Sequence, residues 1–296
     1  MNELPGNTPA DACDIRYQVL GCPIHIRCSV PHVAPILAEA APRAEEEGLP
    51  DGRTIEIDVR QGDGRKLIEL HHGGRLVCQH FDPVRIAVEI ESLVTHQVAE
   101  SWAGWTRLHA GCATIGGRRA LFSGDKAAGK TTLMLTLLAA WHEVHGDENV
   151  LLHGGVTLPV PRKFHLRERT LDLVPELAAV RESVSSREHP VIGPFRFCDP
   201  IDLGRPWNVG FSPAAAVFIL EPGFGGTSDV TPCPKVDLVR HLLFQTMNLS
   251  AEPGREIREI SLLADSAAAF RLRVGDLAEA VREIEAALAA LPPRAG

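Results

Sequence analysis

Four residues in the middle of the chain have the types and spacing of a phosphate-binding loop. Gly124 is followed by four other residues and then by Gly129, Lys130 and Thr131, which fits the pattern of a glycine, four free positions and Gly-Lys-Ser/Thr. The two glycines allow consecutive backbone N–H groups to approach a polyphosphate closely. The Lys130 ammonium can bind the β- and γ-phosphates, and the Thr131 hydroxyl can bind Mg²⁺. The pattern therefore predicts a site for ATP and Mg²⁺.

The sequence on both sides of the loop has the character that this site requires. Residues 119–123 form a short apolar run typical of a strand, and residues 130–140 are apolar nearly all round, as expected of a buried helix. The positive end of that helix dipole would face the phosphates. The predicted nucleotide-binding residues are Gly124, Asp125, Lys126, Ala127, Ala128, Gly129, Lys130, Thr131 and Thr132.

An acidic pair, Asp147 and Glu148, follows the predicted strand at residues 141–145. Carboxylates after the phosphate-loop helix are where such enzymes hold their metal ion or their base, although an ordinary Asp-Glu turn has the same sequence. We expect Thr131 and one carboxylate to bind Mg²⁺, with the other carboxylate as base. His109 lies on a predicted strand, residues 107–115, which forms a hairpin with residues 119–123; it is either a site residue or a hydrogen-bonded core histidine.

The first hundred residues predict a small α+β domain, residues 1–103, ahead of the domain at residues 104–296. Its predicted parts are a loose segment at 1–13, one or two strands within 17–30, a short helix at 35–41, an antiparallel meander at 54–60, 66–71 and 75–81, and a helix at 83–102. A cluster of His71, His72, Cys78 and His80 could bind a metal, but its spacing matches no zinc pattern, and a histidine-rich hairpin is the preferred interpretation.

The second domain is predicted to be α/β. Its expected elements after the acidic pair are one extended run at 149–158, loops at 159–210 with a short helix at 174–183, a strand at 215–221, a loop at 222–234, a helix at 236–248, a strand at 268–274 and a helix at 276–288. Asp276 and Glu279 have the spacing of a helix cap. The segment at 159–210 also contains basic residues that form either a solvated face or a guide for an acidic acceptor. They are Arg162, Lys163, Arg167, Arg169, Arg181, Arg187, Arg196 and Arg205.

With these motifs in place, the stretch from His109 to Glu148 resembles the HPr kinase family. The shared features are a histidine in Leu108-His109-Ala110-Gly111, the turn Gly116-Gly117, the phosphate loop and the acidic pair, and the resemblance extends over about residues 105–290. The end of the chain is similar to HPr-kinase-like proteins that include lasso-peptide precursor kinases. Three departures are Glu148 in place of Asp, Thr131 in place of Ser, and the absence of an Arg-Gly-hydrophobic-Gly segment.

The resemblance implies a P-loop fold related to phosphoenolpyruvate carboxykinase, in proteins that are often oligomers. It also implies Lys130, Asp147 and His109 as catalytic residues, with Asp147 as the base and Thr131, Asp147 and Glu148 as the metal site. Because the Arg-Gly-hydrophobic-Gly segment is missing, the resemblance does not assign HPr itself as the acceptor.

Composition limits the remaining possibilities. The chain has 296 residues, of which 45% are hydrophobic and 23% charged, and its net charge of −8 argues against nucleic acid as the main partner. Its seven scattered cysteines and the absence of a signal-peptide or membrane-spanning pattern indicate a cytoplasmic protein without a membrane partner.

The sequence therefore predicts an ATP- and Mg²⁺-dependent kinase that phosphorylates a hydroxyl, with a serine of a protein or peptide as the expected acceptor. Two alternatives stay open at this point. One is a nucleotide-binding regulator that transfers no phosphate, and the other is a kinase acting on a small molecule.

Overall fold

The computed structural model describes residues 13–64, 66–191, 193–247 and 253–293, which form a mixed α/β fold. No helix within these ranges is long and apolar enough to cross a membrane. The expected loose segment at 1–13 lies outside the described residues except for Cys13, which begins the first strand. The helix predicted at 236–248 ends at Phe244, so its predicted end is wrong, and the last predicted residue, Asn248, lies outside the described residues.

The first part of the chain folds into a five-stranded sheet with two helices. Its elements are β1 Cys13–Val19, β2 Cys22–Cys28, α1 Ala34–Ala40, β3 Glu45–Glu46, β4 Ile55–Gln61, β5 Ile68–His72, β6 Arg75–His80 and α2 Pro83–Ser101. The strand order is β1-β2-β4-β5-β6, and β3 lies outside this sheet. The predicted meander is confirmed, because β4, β5 and β6 pair antiparallel. Helices α1 and α2 pack against the sheet.

The central sheet begins with the elements around the predicted phosphate loop. They are β7 Thr106–Ile115, β8 Arg118–Ser123, α3 Lys130–Ala139, β9 Glu143–Gly146, β10 Asn149–His153 and β11 Val156–Pro159. The predicted β7–β8 hairpin and the helix after the loop are confirmed.

Two predicted boundaries in this region are wrong. The strand expected at 141–145 starts at Glu143, because Trp141 has a φ of 69° and forms an exposed turn. The single extended run expected at 149–158 is a hairpin, since Gly154 and Gly155 take φ values of 56° and 77° between β10 and β11.

A small sheet occupies a region that was expected to consist mainly of loops. Its elements are β12 Phe164–Arg167, α4 Glu168–Leu173, α5 Ala178–Ser183, β13 Arg187–His189 and β14 Gly193–Cys198, with the strand order β12-β14-β13. The predicted helix at 174–183 is present as α5 preceded by a 3₁₀ turn. The prediction missed the strands because each is short and they share no clear alternation: β12 has two buried residues, β13 has none, and the four buried residues of β14 are consecutive.

The last part of the chain completes the central sheet. Its elements are β15 Asn208–Val209, β16 Ser212–Pro213, β17 Ala216–Pro222, β18 Asp229–Pro232, α6 Lys235–Phe244, α7 Pro253–Ser266, β19 Ala268–Val274 and α8 Leu277–Ala289. The sheet order is β16-β11-β10-β7-β8-β17-β19-β18, with β9 beside β7. β8, β17 and β19 run parallel. Helix α7 and strand β18 were not predicted, whereas β19 and the Asp276 cap of α8 are confirmed.

The apolar core is continuous across the predicted domain boundary. The buried cluster of the first sheet also contains Leu151, Leu158, Phe195, Phe197 and Trp207 from the second half of the chain. Strand β3 pairs with β15, which ties residues 45–46 to residues 208–209. The division at residues 103 and 104 stays a prediction.

Candidate functional site

The loop between β8 and α3 has a backbone that requires both of its glycines. Gly129 has a φ of 91°, in the left-handed region, and Ala127 precedes it with a φ of 69°. At Gly124 the constraint is space, since an added Cβ would lie 2.9 Å from Leu220 Cβ. The loop closes through a bond from the Ala128 N–H to the Asp125 carbonyl, at 3.1 Å. These turns bring the start of α3 to the mouth of a cavity.

Lys130 carries a buried ammonium group that has no hydrogen-bond partner within the described parts of the chain. The residue is only 9% exposed. Burial lowers its pKa to about 8, although the nearby carboxylates Asp147 and Glu148 act in the opposite direction. A buried cation without a partner is costly, so the site favours an anion that would approach Lys130 closely.

Thr131 and Asp147 form a direct contact across the cavity. The Thr131 hydroxyl donates to Asp147 Oδ2 at 2.6 Å. Asp147 is 4% exposed, and its second oxygen, Oδ1, accepts no hydrogen bond from the described residues. Arg162 Nη2 lies 3.7 Å from that oxygen, too far for a hydrogen bond. A hydroxyl beside a carboxylate offers the hard oxygen ligands that Mg²⁺ prefers.

Glu148 lines the cavity and forms an ion pair with Arg162. Arg162 Nη2 lies 2.5 Å from Glu148 Oε2. Burial raises the pKa of Glu148, but Arg162 and His109 outweigh it, and the net pKa lies below the ordinary value. For Arg162, burial lowers the pKa, yet Glu148 and Asp147 raise it overall. Both groups therefore stay ionised near neutral pH.

His109 lies on β7 and faces the same cavity. Its Nδ1 is 3.3 Å from Gln245 Oε1, and Gln245 Nε2 donates to Asp125 Oδ1 at 3.2 Å. Burial and the charge of Lys130 lower the pKa of His109, so the ring is neutral at pH 7. The histidine has no hydrogen bond to Asp147 or Glu148 in the described structure, and its catalytic role stays a prediction.

The cavity around these groups has a volume of about 560 Å³, within the range of small-molecule sites. All predicted nucleotide-binding residues except Gly124 line it, together with Asp147, Glu148 and His109. Within the described ranges no three His, Cys, Asp or Glu side chains form a metal cluster. The Thr131–Asp147 pair fits a Mg²⁺ ion that takes its other ligands from phosphate and water, as this ion commonly does.

The predicted basic segment does not form a single face. Of its members, only Arg162, Arg167 and Arg169 line the cavity. Lys163 is buried and lies 3.3 Å from Asp199. The rest contact other parts of the protein: Arg181 and Arg196 pair with Glu168, Arg187 pairs with Glu39, and Arg205 lies over the Trp141 ring. Arg167 and Arg169 are exposed and make no ion pairs among the described residues, and a role in guiding an acceptor stays a prediction.

Two histidines in this region, His145 and His165, make contacts that no local sequence pattern predicts. His165 lines the cavity, and its Nε2 lies 2.7 Å from Oε2 of the buried Glu91 on α2. His145, two residues before Asp147, contacts the Thr114 hydroxyl at 2.8 Å and the Asn208 carbonyl at 2.7 Å. Burial lowers the His145 pKa to about 4. Both partners of each contact are far apart in sequence, which hides them from any local pattern.

The histidine-rich hairpin of β5 and β6 has other contacts. His71 pairs with Glu69 at 2.9 Å, His72 contacts the Glu56 carbonyl at 2.8 Å, and His80 lies 3.8 Å from Glu89. These partners belong to β4, β5 and α2, so the histidines make these contacts within the first sheet and its helix α2.

Comparison with known proteins adds little to this geometry. No protein-family model matches the chain, and no curated protein sequence matches it. Among solved structures, the chain is similar to the HPr(Ser) kinase/phosphatase from Coxiella burnetii, with 11% identity and a TM-score of 0.29. The match covers 61% of this chain and 93% of that chain. A similarity at this level carries no argument about activity, so the resemblance to that family stays a prediction.

Proposed function

We propose that this protein is an ATP- and Mg²⁺-dependent kinase that phosphorylates a hydroxyl group, with a serine of a protein or peptide as the expected acceptor. The observation that carries the proposal is the buried ammonium of Lys130, which has no hydrogen-bond partner among the described residues and lies on a loop with a left-handed glycine. This group lies in the same cavity as the Thr131–Asp147 pair. An anion-binding loop beside a carboxylate is what phosphoryl transfer requires, because positioning and charge neutralisation do most of its catalysis.

The contacts of each residue indicate its role in the proposed phosphoryl transfer. Lys130 and the loop N–H groups would hold the β- and γ-phosphates, and Thr131 with Asp147 Oδ2 would hold Mg²⁺, which supplies charge neutralisation on the phosphates. No described residue donates a hydrogen bond to Asp147 Oδ1, so it is the oxygen that would accept the hydroxyl proton. Arg162 keeps Glu148 ionised and lies near Asp147, which fixes both carboxylates in place.

Incubation of the protein with γ-labelled ATP, Mg²⁺ and a cell lysate tests the proposal. We expect label in a protein band, formed only with Mg²⁺. Label in a small molecule would identify a small-molecule kinase instead. ATP binding without transfer would contradict the kinase proposal and favour a regulator.

The Lys130→Ala variant provides the control for this experiment. We expect a loss on the order of 10³-fold in label transfer, because a desolvated charge is removed from the transferring phosphate. Circular dichroism should be unchanged, since Lys130 Nζ makes no hydrogen bond to the described part of the chain that the fold would lose. Lys235→Ala, an exposed residue paired with Asp265, should retain full transfer. Wild-type transfer by Lys130→Ala would remove the loop from the mechanism.

A further inference from the structure

Phe224 is an exposed aromatic ring at the edge of the candidate site. It follows β17, is 60% exposed, and lines the same cavity as the phosphate loop. Its ring lies against the loop at Gly129, because a Cβ added to Gly129 would be 3.3 Å from Phe224 Cε1. An aromatic face left in water beside an anion-binding loop is available to stack on a planar group.

Hydrogen bonds and close packing hold the turn that carries Phe224. The Gly223 N–H donates to the Val274 carbonyl and the Asp276 N–H donates to the Gly226 carbonyl, both at 2.9 Å. At Gly275 there is no space for a side chain, since an added Cβ would lie 2.2 Å from the Gly226 carbonyl oxygen. Strand β19 and the start of α8 therefore hold the backbone that carries the Phe224 ring in position.

The sheet order places Phe224 and the acidic pair on opposite sides of the phosphate loop. The loop follows β8, which lies between β7 and β17. Asp147 and Glu148 follow β9, on the β7 side, and Phe224 follows β17 on the other side. A triphosphate whose reacting end points to Asp147 would thus have its nucleoside directed towards β17 and β19.

The wall on that side is apolar. Besides Phe224 it consists of Gly225, Val274, Gly275 and Leu277, none of which has a polar side chain. Such a surface suits the face of a nucleobase and does not suit a phosphate or a carboxylate. Stacking of a base on an aromatic side chain contributes a substantial part of affinity where it occurs.

We propose that Phe224 is the residue on which the base of the bound nucleotide stacks. The inference rests on the proposed function, since it requires that the site binds a nucleoside triphosphate. Stacking on Phe224 would make the site bind a nucleotide more tightly than an inorganic polyphosphate.

Calorimetric titration with ATP and with tripolyphosphate, each in the presence of Mg²⁺, separates base binding from phosphate binding. For Phe224→Ala we expect ATP affinity to fall about tenfold or more while tripolyphosphate affinity changes less than about twofold. Phe81→Ala is the matched control, because Phe81 is 74% exposed and lies in the first sheet region. It should bind both ligands like the wild type.

A second variant reports the contact directly. In Phe224→Trp, we expect ATP to quench the fluorescence of the introduced indole and tripolyphosphate to leave it unchanged, with wild-type protein correcting for Trp102, Trp105, Trp141 and Trp207.

The inference is overturned if Phe224→Ala binds ATP like the wild type, if it loses affinity for both ligands equally, or if the wild type binds the two equally well. It is also overturned if ATP leaves the introduced indole unquenched. A wild-type protein that binds neither ligand would instead contradict the proposed function itself.

Discussion

Asp147 and Glu148 are neighbours in sequence, but their surroundings differ. One Asp147 oxygen accepts a hydrogen bond from the Thr131 hydroxyl and the other has no donor among the described residues, whereas Glu148 forms an ion pair with the Arg162 guanidinium at 2.5 Å. A carboxylate paired this closely with arginine is a weak base, because the ion pair stabilises its ionised form. The structure therefore gives different surroundings to two residues whose roles the residue types alone left open, although the resemblance implied Asp147 as the base.

Substitution of each carboxylate by its amide tests this difference. We expect Asp147→Asn to retain ATP affinity within about tenfold and to lose at least about 10²-fold in label transfer, because an amide cannot accept the proton. Glu148→Gln should lose less transfer, since Glu148 forms an ion pair with Arg162 and is not the proposed base. Transfer rates and calorimetry on the two variants decide the matter. Full transfer in Asp147→Asn with loss in Glu148→Gln would reverse the two assignments.

The sequence could predict the residues of the phosphate loop and the acidic pair because each motif lies within a few consecutive positions. It could not assign Arg162 to Glu148, Gln245 to His109 or Glu91 to His165. Those contacts join residues that are 14 to 136 positions apart, and only the folded chain brings them together.

Strand β12 and the start of α4 present basic residues to the cavity through simple alternation. Phe164 and Leu166 are buried in the core, so His165 and Arg167 lie on the opposite face, and Arg169 follows on the first turn of α4. Arg167 and Arg169 are the cavity-lining arginines without an ion pair among the residues described. A guanidinium can hold a carboxylate or phosphate through two parallel hydrogen bonds.

Charge reversal at these two positions tests whether they guide the acceptor. For the double variant Arg167→Glu and Arg169→Glu, we expect label transfer to protein to fall about tenfold while ATP affinity falls no more than about threefold, because exposed charges act on a partner more than on a buried phosphate. The assay compares transfer with calorimetry. Arg75→Glu, an exposed arginine on β6, serves as control. Equal losses of transfer and ATP affinity would place the arginines on the nucleotide instead.

At the level of elements, the sequence predicted apolar runs that are long or are bounded by glycine turns. The apolar helix α3, the meander β4–β6 and strand β19 were all found for this reason. Helix α7 and the β12–β14 sheet were missed. In α7, Ile257, Ile260 and Leu263 recur at helical spacing, so the sequence does carry a signal for this helix, whereas the three strands are too short for a clear alternation.

One ionic cluster joins Arg43, in the first part of the chain, to Lys163 and the buried carboxylate Asp199 in the second part. Arg43 donates to Asp199 at 2.9 and 2.6 Å, and Lys163 lies 3.3 Å from the same side chain, which is completely buried. Asp199 also caps the turn that follows it. Burial raises the pKa of Asp199, but Arg43 and Lys163 outweigh it, and the net pKa lies below the ordinary value.

We expect Asp199→Asn to lower the free energy of unfolding by about 3 kcal/mol, because Lys163 is left as a buried charge without its counterion. Urea denaturation at pH 7 measures the change. Asp265→Asn, at an exposed ion pair, should change stability by less than about 1 kcal/mol. A loss of similar size in both variants would contradict the role of burial.

The same carboxylate gives the expected pH dependence. Its pKa is lower in the folded than in the unfolded protein, so its stabilisation is complete above the ordinary value of 3.8 and is lost as the pH falls through the folded pKa. The difference between wild type and Asp199→Asn should therefore be constant from pH 5 to 7 and decrease in stronger acid. A difference that grew on acidification would contradict this assignment.

The position of β17 and β19 has a consequence for the order of events during synthesis. The loop after β8 emerges from the ribosome before β17, the parallel neighbour of β8, and before β19, which pairs with β17. Leu277, which lines the cavity, emerges later still. Until these residues are available, β8 lacks its partner strand on one side and α3 lacks its contact with α8. A nascent chain would thus hold no nucleotide until about residue 277 has left the exit tunnel, and its exposed β8 edge would be a binding site for chaperones during that interval.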